Sequence, residues 1–173
     1  MNYNGDKIIG LLGKKIEDKQ VREMMKSFGA KKPILDTFFK EYGGCSVLLE
    51  DHKIELLFAD SSFYDGTDNG IYGQGDLLFS GVMFREKTDI RLPFGLMHSD
   101  TLEDVYKKLG RKENYYDEKG VVAQKIWEFT TNNQQRALLY VIFGSGKYEN
   151  VAIVNVYLYE PEHDEVFKDM KVS

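Results

Sequence analysis

The chain predicts an α+β fold made of two similar halves, and three observations carry that reading. Asp18-Lys-Gln-Val-Arg-Glu-Met-Met-Lys-Ser-Phe-Gly29 aligns with Ser99-Asp-Thr-Leu-Glu-Asp-Val-Tyr-Lys-Lys-Leu-Gly110, 81 residues further on. Both stretches read as short capped helices with apolar residues at matching positions, Val21, Met24 and Phe28 against Leu102, Val105 and Leu109. Each is followed by runs of strand length that sit too close together for parallel crossovers, which need a dozen or more connecting residues. Each half is therefore short helices followed by antiparallel strands, with the helices packed on the sheet. The whole of 1–173 is expected to be a single domain with pseudo-repeats over about 9–90 and 91–165.

The elements follow in order. Residues 1–17 carry Ile8, Ile9, Leu11, Leu12 and Ile16, interrupted by Gly10 and Gly13, a pattern equally open to a short helix and to an extended lead-in. Asp18 offers an N-cap for a helix over 19–28, and Gly29 suits the left-handed position after it. Pro33 fits the first turn of a second helix whose buried side would be Leu35, Phe38, Phe39 and Tyr42, with Gly43-Gly44 as its stop. The period then changes to two. Cys45–Glu50 and Lys53–Ala59 read as a hairpin turning at Asp51-His52, residues 60–76 as a polar loop, and Asp76–Arg85 as a third strand. In the second half Asp100 is expected to cap the helix, with Glu103 completing a capping box. Residues 111–120 form a charged connection. Val121–Thr130, Ala137–Phe143 and Val151–Tyr159 read as strands, the last two linked through Gly144-Ser145-Gly146, and the charged tail from Pro161 holds at most a helical turn.

Composition excludes several classes of function. Hydrophobic residues make up 42% and aromatics 13% of the chain, enough for a real core. The net charge of -5 argues against nucleic acid, which demands a basic face, and suits a basic protein partner. Cys45 is the only cysteine, so an intramolecular disulfide or thiolate metal cluster is excluded. The N-terminal residues show no signal-peptide pattern and no stretch approaches the ~20 apolar residues of a membrane span, so a cytoplasmic protein with no membrane association, monomeric or homodimeric, is expected.

Leu92-Pro-Phe-Gly-Leu96 followed by Ser99–Gly110, a capped helix ending in Leu-Gly with strands beyond it, resembles the repeat unit of the β-lactamase inhibitory protein and BamE-like fold. Ile9-Gly-Leu-Leu-Gly-Lys14 and the helix ending in Phe28-Gly29 fit the same pattern. The chain also resembles small cytoplasmic immunity-type proteins encoded beside secreted toxins. The resemblance rests on about 35 residues and on layout elsewhere. It departs from the secreted inhibitors in having no disulfide, and from the outer-membrane members in having no lipidated cysteine. It implies a bacterial protein that binds other proteins through a sheet face and loops, and it brings no catalytic residues.

The loop 60–76 is the sharpest local feature. Phe63, Tyr64 and Tyr72 alternate with Asp60, Asp65, Asp68 and Asp76, and exposed aromatics with acidic neighbours are the composition of a surface for a basic partner. These are the expected partner-binding residues. Asp65, Thr67, Asn69 and Asp76 also fall near positions 1, 3, 5 and 12 of a calcium-binding loop, with Gly70 at the turn. Asp76 replaces the bidentate Glu of that pattern, Tyr72 takes its apolar position, and strands flank it in place of helices. A solvated turn-rich loop accounts for the residues as well, so no metal and no cofactor is expected, with a calcium- or small-ligand-binding domain as the alternative. Cys45 reads as a small core residue, and His52, His98 and His163 have no metal-ligand spacing. Gly144-Ser-Gly-Lys147 leads into a strand and lacks the helix N-terminus that a phosphate loop needs. The sequence thus points to a non-enzymatic protein-binding module, most concretely an immunity-type inhibitor that occludes a toxin enzyme.

Overall fold

A computed structural model describes residues 3–30, 43–67, 71–117, 124–144, 150–168 and 170–172. The helix expected after Pro33, together with Asp68, Asn69 and Gly70, lies outside the described residues. The ambiguous N-terminus begins as a short helix. Helix α1 (Gly5–Ile9) is capped by Asn4, whose side chain accepts from the Lys7 N–H. Turns follow, and Lys15 forms an isolated antiparallel bridge with Leu78. Asp18 caps α2 (Lys19–Ser27) as expected, accepting from Gln20, and Gly29 takes up φ +67° just beyond it.

Strands β1 (Gly44–Leu49) and β2 (Ile54–Asp60) pair in an unbroken antiparallel register, joined by a 3-10 turn at Glu50–His52. A one-turn helix, α3 (Ser62–Asp65), opens the long loop before β3 (Leu77–Phe84). In the second half α4 (Leu102–Leu109) is followed by β4 (Tyr115–Asp117), β5 (Gln124–Thr130), β6 (Arg136–Phe143), β7 (Val151–Leu158), α5 (His163–Lys168) and β8 (Lys171–Val172). The cap of α4 corrects the sequence reading by one residue. Thr101, extended at φ -79° and ψ 169°, accepts from the Asp104 N–H, while the Asp104 carboxylate returns to the Thr101 N–H. Asp100 is buried inside the preceding turn, where its carboxylate accepts from Met97 N at 2.7 Å and Lys108 Nζ at 2.7 Å. It ties that turn to the last turn of the helix.

All strands form one antiparallel sheet in the order β1-β2-β3-β7-β6-β5-β4-β8. Two three-stranded meanders, β1-β2-β3 and β5-β6-β7, meet through their last strands, with Gly81 to Phe84 against Tyr157 to Val154. Beyond Gly81 the first half of β3 is bordered by the N-terminal segment, with Gly13 N donating to Phe79 O at 2.9 Å and Ile16 N to Leu77 O at 2.8 Å. Helices α1, α2 and α4 cover one face of the sheet. Ile8, Leu12, Val21, Met24 and Val105 pack there on Leu56, Phe58, Phe79, Phe84, Trp127, Val154 and Val156, all buried. The terminal helix α5 lies on the opposite face, where Phe167 packs with Ile126 and Leu138 and stacks on Tyr115 at 4.2 Å.

Candidate functional site

The expected loop site is largely folded back on the protein. Asp60 is fully buried, so it offers a partner no surface, and this corrects its expected role. Its carboxylate accepts backbone N–H groups from Ser62 at 3.0 Å, Gly73 at 2.8 Å and Gly75 at 3.2 Å, and so closes the loop on itself. Burial pushes its pKa up, and these backbone donors outweigh burial and hold it below the usual carboxylate range. Phe63 and Tyr72 pack ring to ring at 5.2 Å and lie against Gly43. Tyr64 is half-buried and donates to Glu160 at 3.1 Å, with burial first and Glu160 second raising its pKa far above the ordinary phenol. These aromatics brace the loop, so their half-buried rings contribute little to a free surface.

Asp65 and Asp76 remain on the surface. Asp65 accepts from the Thr67 N–H at 2.9 Å, while Asp76 pairs with Lys15 at 2.6 Å. The described part of the calcium set therefore does not converge on one point. Among the described residues no group of three or more His, Cys, Asp or Glu could hold a metal ion. His52 meets Asp89 at 3.1 Å, His98 donates through Nδ1 to Val151 O at 3.0 Å, and His163 accepts from Glu160 N at 2.9 Å. Cys45 is half-buried against the core, and burial raises its thiol pKa.

The larger open feature is the sheet face opposite α1, α2 and α4. Register places Leu48, Glu55, Met83, Asn155 and Tyr140 in one row across β1, β2, β3, β7 and β6. Ser46, Leu57, Gly81, Tyr157 and Leu138 form the next. Helix α5 covers the Leu138 and Ile126 end. Leu57, Met83, Tyr140 and Tyr157 are half-exposed and Leu48 is 41% exposed. Gly81 makes the centre possible. A Cβ there would lie 2.7 Å from Tyr157 Cδ1 and 3.3 Å from Leu57 Cδ1, so the Tyr157 ring sits directly over the glycine. Tyr140 meets Tyr157 edge-on at 5.4 Å.

Polar groups punctuate this face. Glu55 pairs with Arg85 at 2.7 Å. Asn155 is only 7% exposed, and its Oδ1 has no hydrogen-bond partner. Burial pushes the Tyr157 phenol up to about 12, with the Glu55 carboxylate adding to it. Tyr140 is likewise pushed up to about 12, by burial first and then by Tyr157 and Glu160. These phenols stay neutral donors, and rigid aromatic surface of this kind gives contact area at low entropic cost. An open groove of about 640 Å³ on the helix side is lined by Asn4, Lys14, Gln20, Glu23 and Asn132 among others.

The sequence reading expected contact through a sheet face without naming its residues, although β7 announces them. Val154, Val156 and Leu158 alternate with Asn155, Tyr157 and Tyr159, so one side of the strand is aliphatic and the other polar-aromatic. Comparison with protein-family models, curated proteins and solved structures found no match to this chain. Among the described residues no helix is long and apolar enough to cross a membrane.

Proposed function

We propose that the chain is a protein-binding module whose contact surface is the outer sheet face around Leu57, Met83, Tyr140 and Tyr157. The observation that carries this is the combination on one face of half-exposed tyrosines and aliphatic side chains with the buried, unpartnered Asn155 Oδ1. A buried acceptor left without a donor costs about 1–3 kcal/mol, which a partner's N–H or O–H would recover. Aromatic side chains at the centre of a patch are the usual anchors of a protein interface.

The concrete form of the proposal is a cytoplasmic, non-enzymatic immunity-type inhibitor that sterically blocks a toxin enzyme. The net charge of -5 supports a basic partner by steering its approach. Surface carboxylates such as Asp65 would add to that field from the loop. The sheet order supports an origin in two similar halves, since each meander follows a capped helix, α2 or α4, and the two abut through their third strands.

The test is capture of partners by tagged protein from lysate of the native host, repeated with Leu57→Lys/Tyr157→Ala and with Asp65→Asn/Asp76→Asn. Circular dichroism establishes that each variant is folded. The proposal expects one retained protein that the face variant loses and the loop variant keeps in reduced amount. Retention indifferent to the face variant removes the proposed surface, and retention of nothing removes the binding function.

A further inference from the structure

We infer that β1 is the seam of a homodimer, in which two copies join edge to edge into one continuous sheet. Among the described strands the sheet has two borders. One is β8, of two residues, and the other is β1, Gly44-Cys-Ser-Val-Leu-Leu49. Monomeric proteins guard a long border strand with charge, proline, a bulge or a covering element. β1 contains no charged residue and no proline, and its register with β2 runs without a bulge.

Its backbone directs hydrogen-bonding groups outward as well. The Asp60 N–H donates to Gly43 O at 2.7 Å, which sets the phase of the β1–β2 ladder. Alternation then turns Cys45, Val47 and Leu49 toward β2 and directs the N–H and C=O groups of Gly44, Ser46 and Leu48 outward. Among the described residues none of these outward groups has a hydrogen-bond partner. Ser46 and Leu48 are also exposed.

A second copy fits this edge by symmetry. In an antiparallel pairing about a two-fold axis, Ser46 faces Ser46 of the second copy, Gly44 faces Leu48, and Cys45 faces Val47. Every outward N–H and C=O of Gly44, Ser46 and Leu48 then meets its counterpart, whereas a slip of two residues in either direction strands some of them. Charge favours the same occupant. The chain carries a net charge of -5, yet residues 43–49 contain no charge, so two acidic copies meet here without opposing like charges. The two-fold axis stands perpendicular to the sheet, so both copies keep their helices on one side and present their outer faces together on the other.

Sedimentation equilibrium of the full chain across a concentration series tests the inference, with an expected mass twice that of the chain. Ser46→Pro removes one outward N–H and leaves the β1–β2 bonds intact, so it should halve the mass with little change in circular dichroism or Tm. Ser46→Lys sets two ammonium groups against each other at the axis and should also halve it, which decides the matter if the proline variant fails to fold. Under mild oxidation Cys45→Ser/Ser46→Cys should form an intermolecular disulfide. Cys45→Ser/Leu48→Cys should not, because the two Leu48 positions stand about 14 Å apart at ~3.4 Å per residue. A monomer at every concentration, a dimer indifferent to both Ser46 variants, or equal cross-linking at 46 and 48 would each overturn the inference.

Discussion

Replacing Asp60 tests the most specific structural claim made of the long loop, that one buried carboxylate holds it closed. In Asp60→Ala the N–H groups of Ser62, Gly73 and Gly75 lose their acceptor together. A donor left unpaired costs about 1–3 kcal/mol when buried. Ser62 and Gly73 are half-buried and Gly75 is exposed, so water partly replaces the carboxylate and the lower end applies. The sum is roughly 3 kcal/mol, or about 6–12 °C in Tm for a domain of this size. Urea unfolding followed by the fluorescence of Trp127, the single tryptophan and fully buried, measures it.

The charge on Asp60 adds a pH signature. Its folded pKa lies below the ordinary value, so its stabilisation is complete above the unfolded pKa of about 3.9 and is lost as pH falls through the folded pKa. The gap between wild type and Asp60→Asn should therefore be widest at pH 6–7 and narrow below about pH 4. Gly75→Ala attacks the same lock from the other side, since its Cβ would lie 2.0 Å from Asp60 Oδ1. It should destabilise the wild type and cost less in the Asp60→Ala background, where the nearest obstacle is gone and only the Ser61 Oγ at 2.6 Å remains. A loss under 1 kcal/mol for Asp60→Ala, a gap that does not change with pH, or strict additivity with Gly75→Ala would refute the lock.

Three further outcomes are expected. Glu113→Gln leaves the buried Lys125 ammonium, now 2.5 Å from the Glu113 carboxylate, without its counter-charge and should cost about 3 kcal/mol at pH 7 by urea unfolding. Glu113→Leu/Lys125→Met should recover most of that loss, because the desolvation of both charges goes with them. In spectrophotometric titration of the native protein, Tyr140 and Tyr157 should ionise near pH 12, together with Tyr159, and the Phe variant at either position should reduce the amplitude of that late step. Since both pKa values are raised, the stability these groups contribute is present below about pH 10 and is lost as pH rises toward 12. Gly81→Ala puts a Cβ 2.9 Å from Val156 O, a backbone atom of the paired strand that cannot swing aside, and should cost about 2 kcal/mol in urea unfolding while displacing the Tyr157 ring.

Local rules were legible in the sequence because local sterics and hydrogen bonding enforce them. Asp18 and Gly29 bound α2 where their side chain and backbone preferences place them. The strands begin and end within a few residues of the positions at which the period changes to two. Thr101 rather than Asp100 caps α4 because Met97 N and Lys108 Nζ hold the Asp100 carboxylate in the turn before it. The expected loop site failed for a related reason. A run of Asp, Phe and Tyr reads as surface, but three N–H groups inside the loop itself make burial of the Asp60 carboxylate favourable.

By itself, then, the sequence determined the α+β class, the helices α2 and α4 and the six longer strands with their period-two faces, while it missed β4 and β8. Tertiary structure alone decided that β3 lies beside β7, that residues 13–16 complete the border of β3, and that α5 crosses to the face opposite the other helices. The physical reason is the range of the interactions. Caps and periodicity act between residues a few positions apart, whereas Gly81 and Tyr157 are joined only when strands far apart in the chain pair, and the outer face exists only after that pairing.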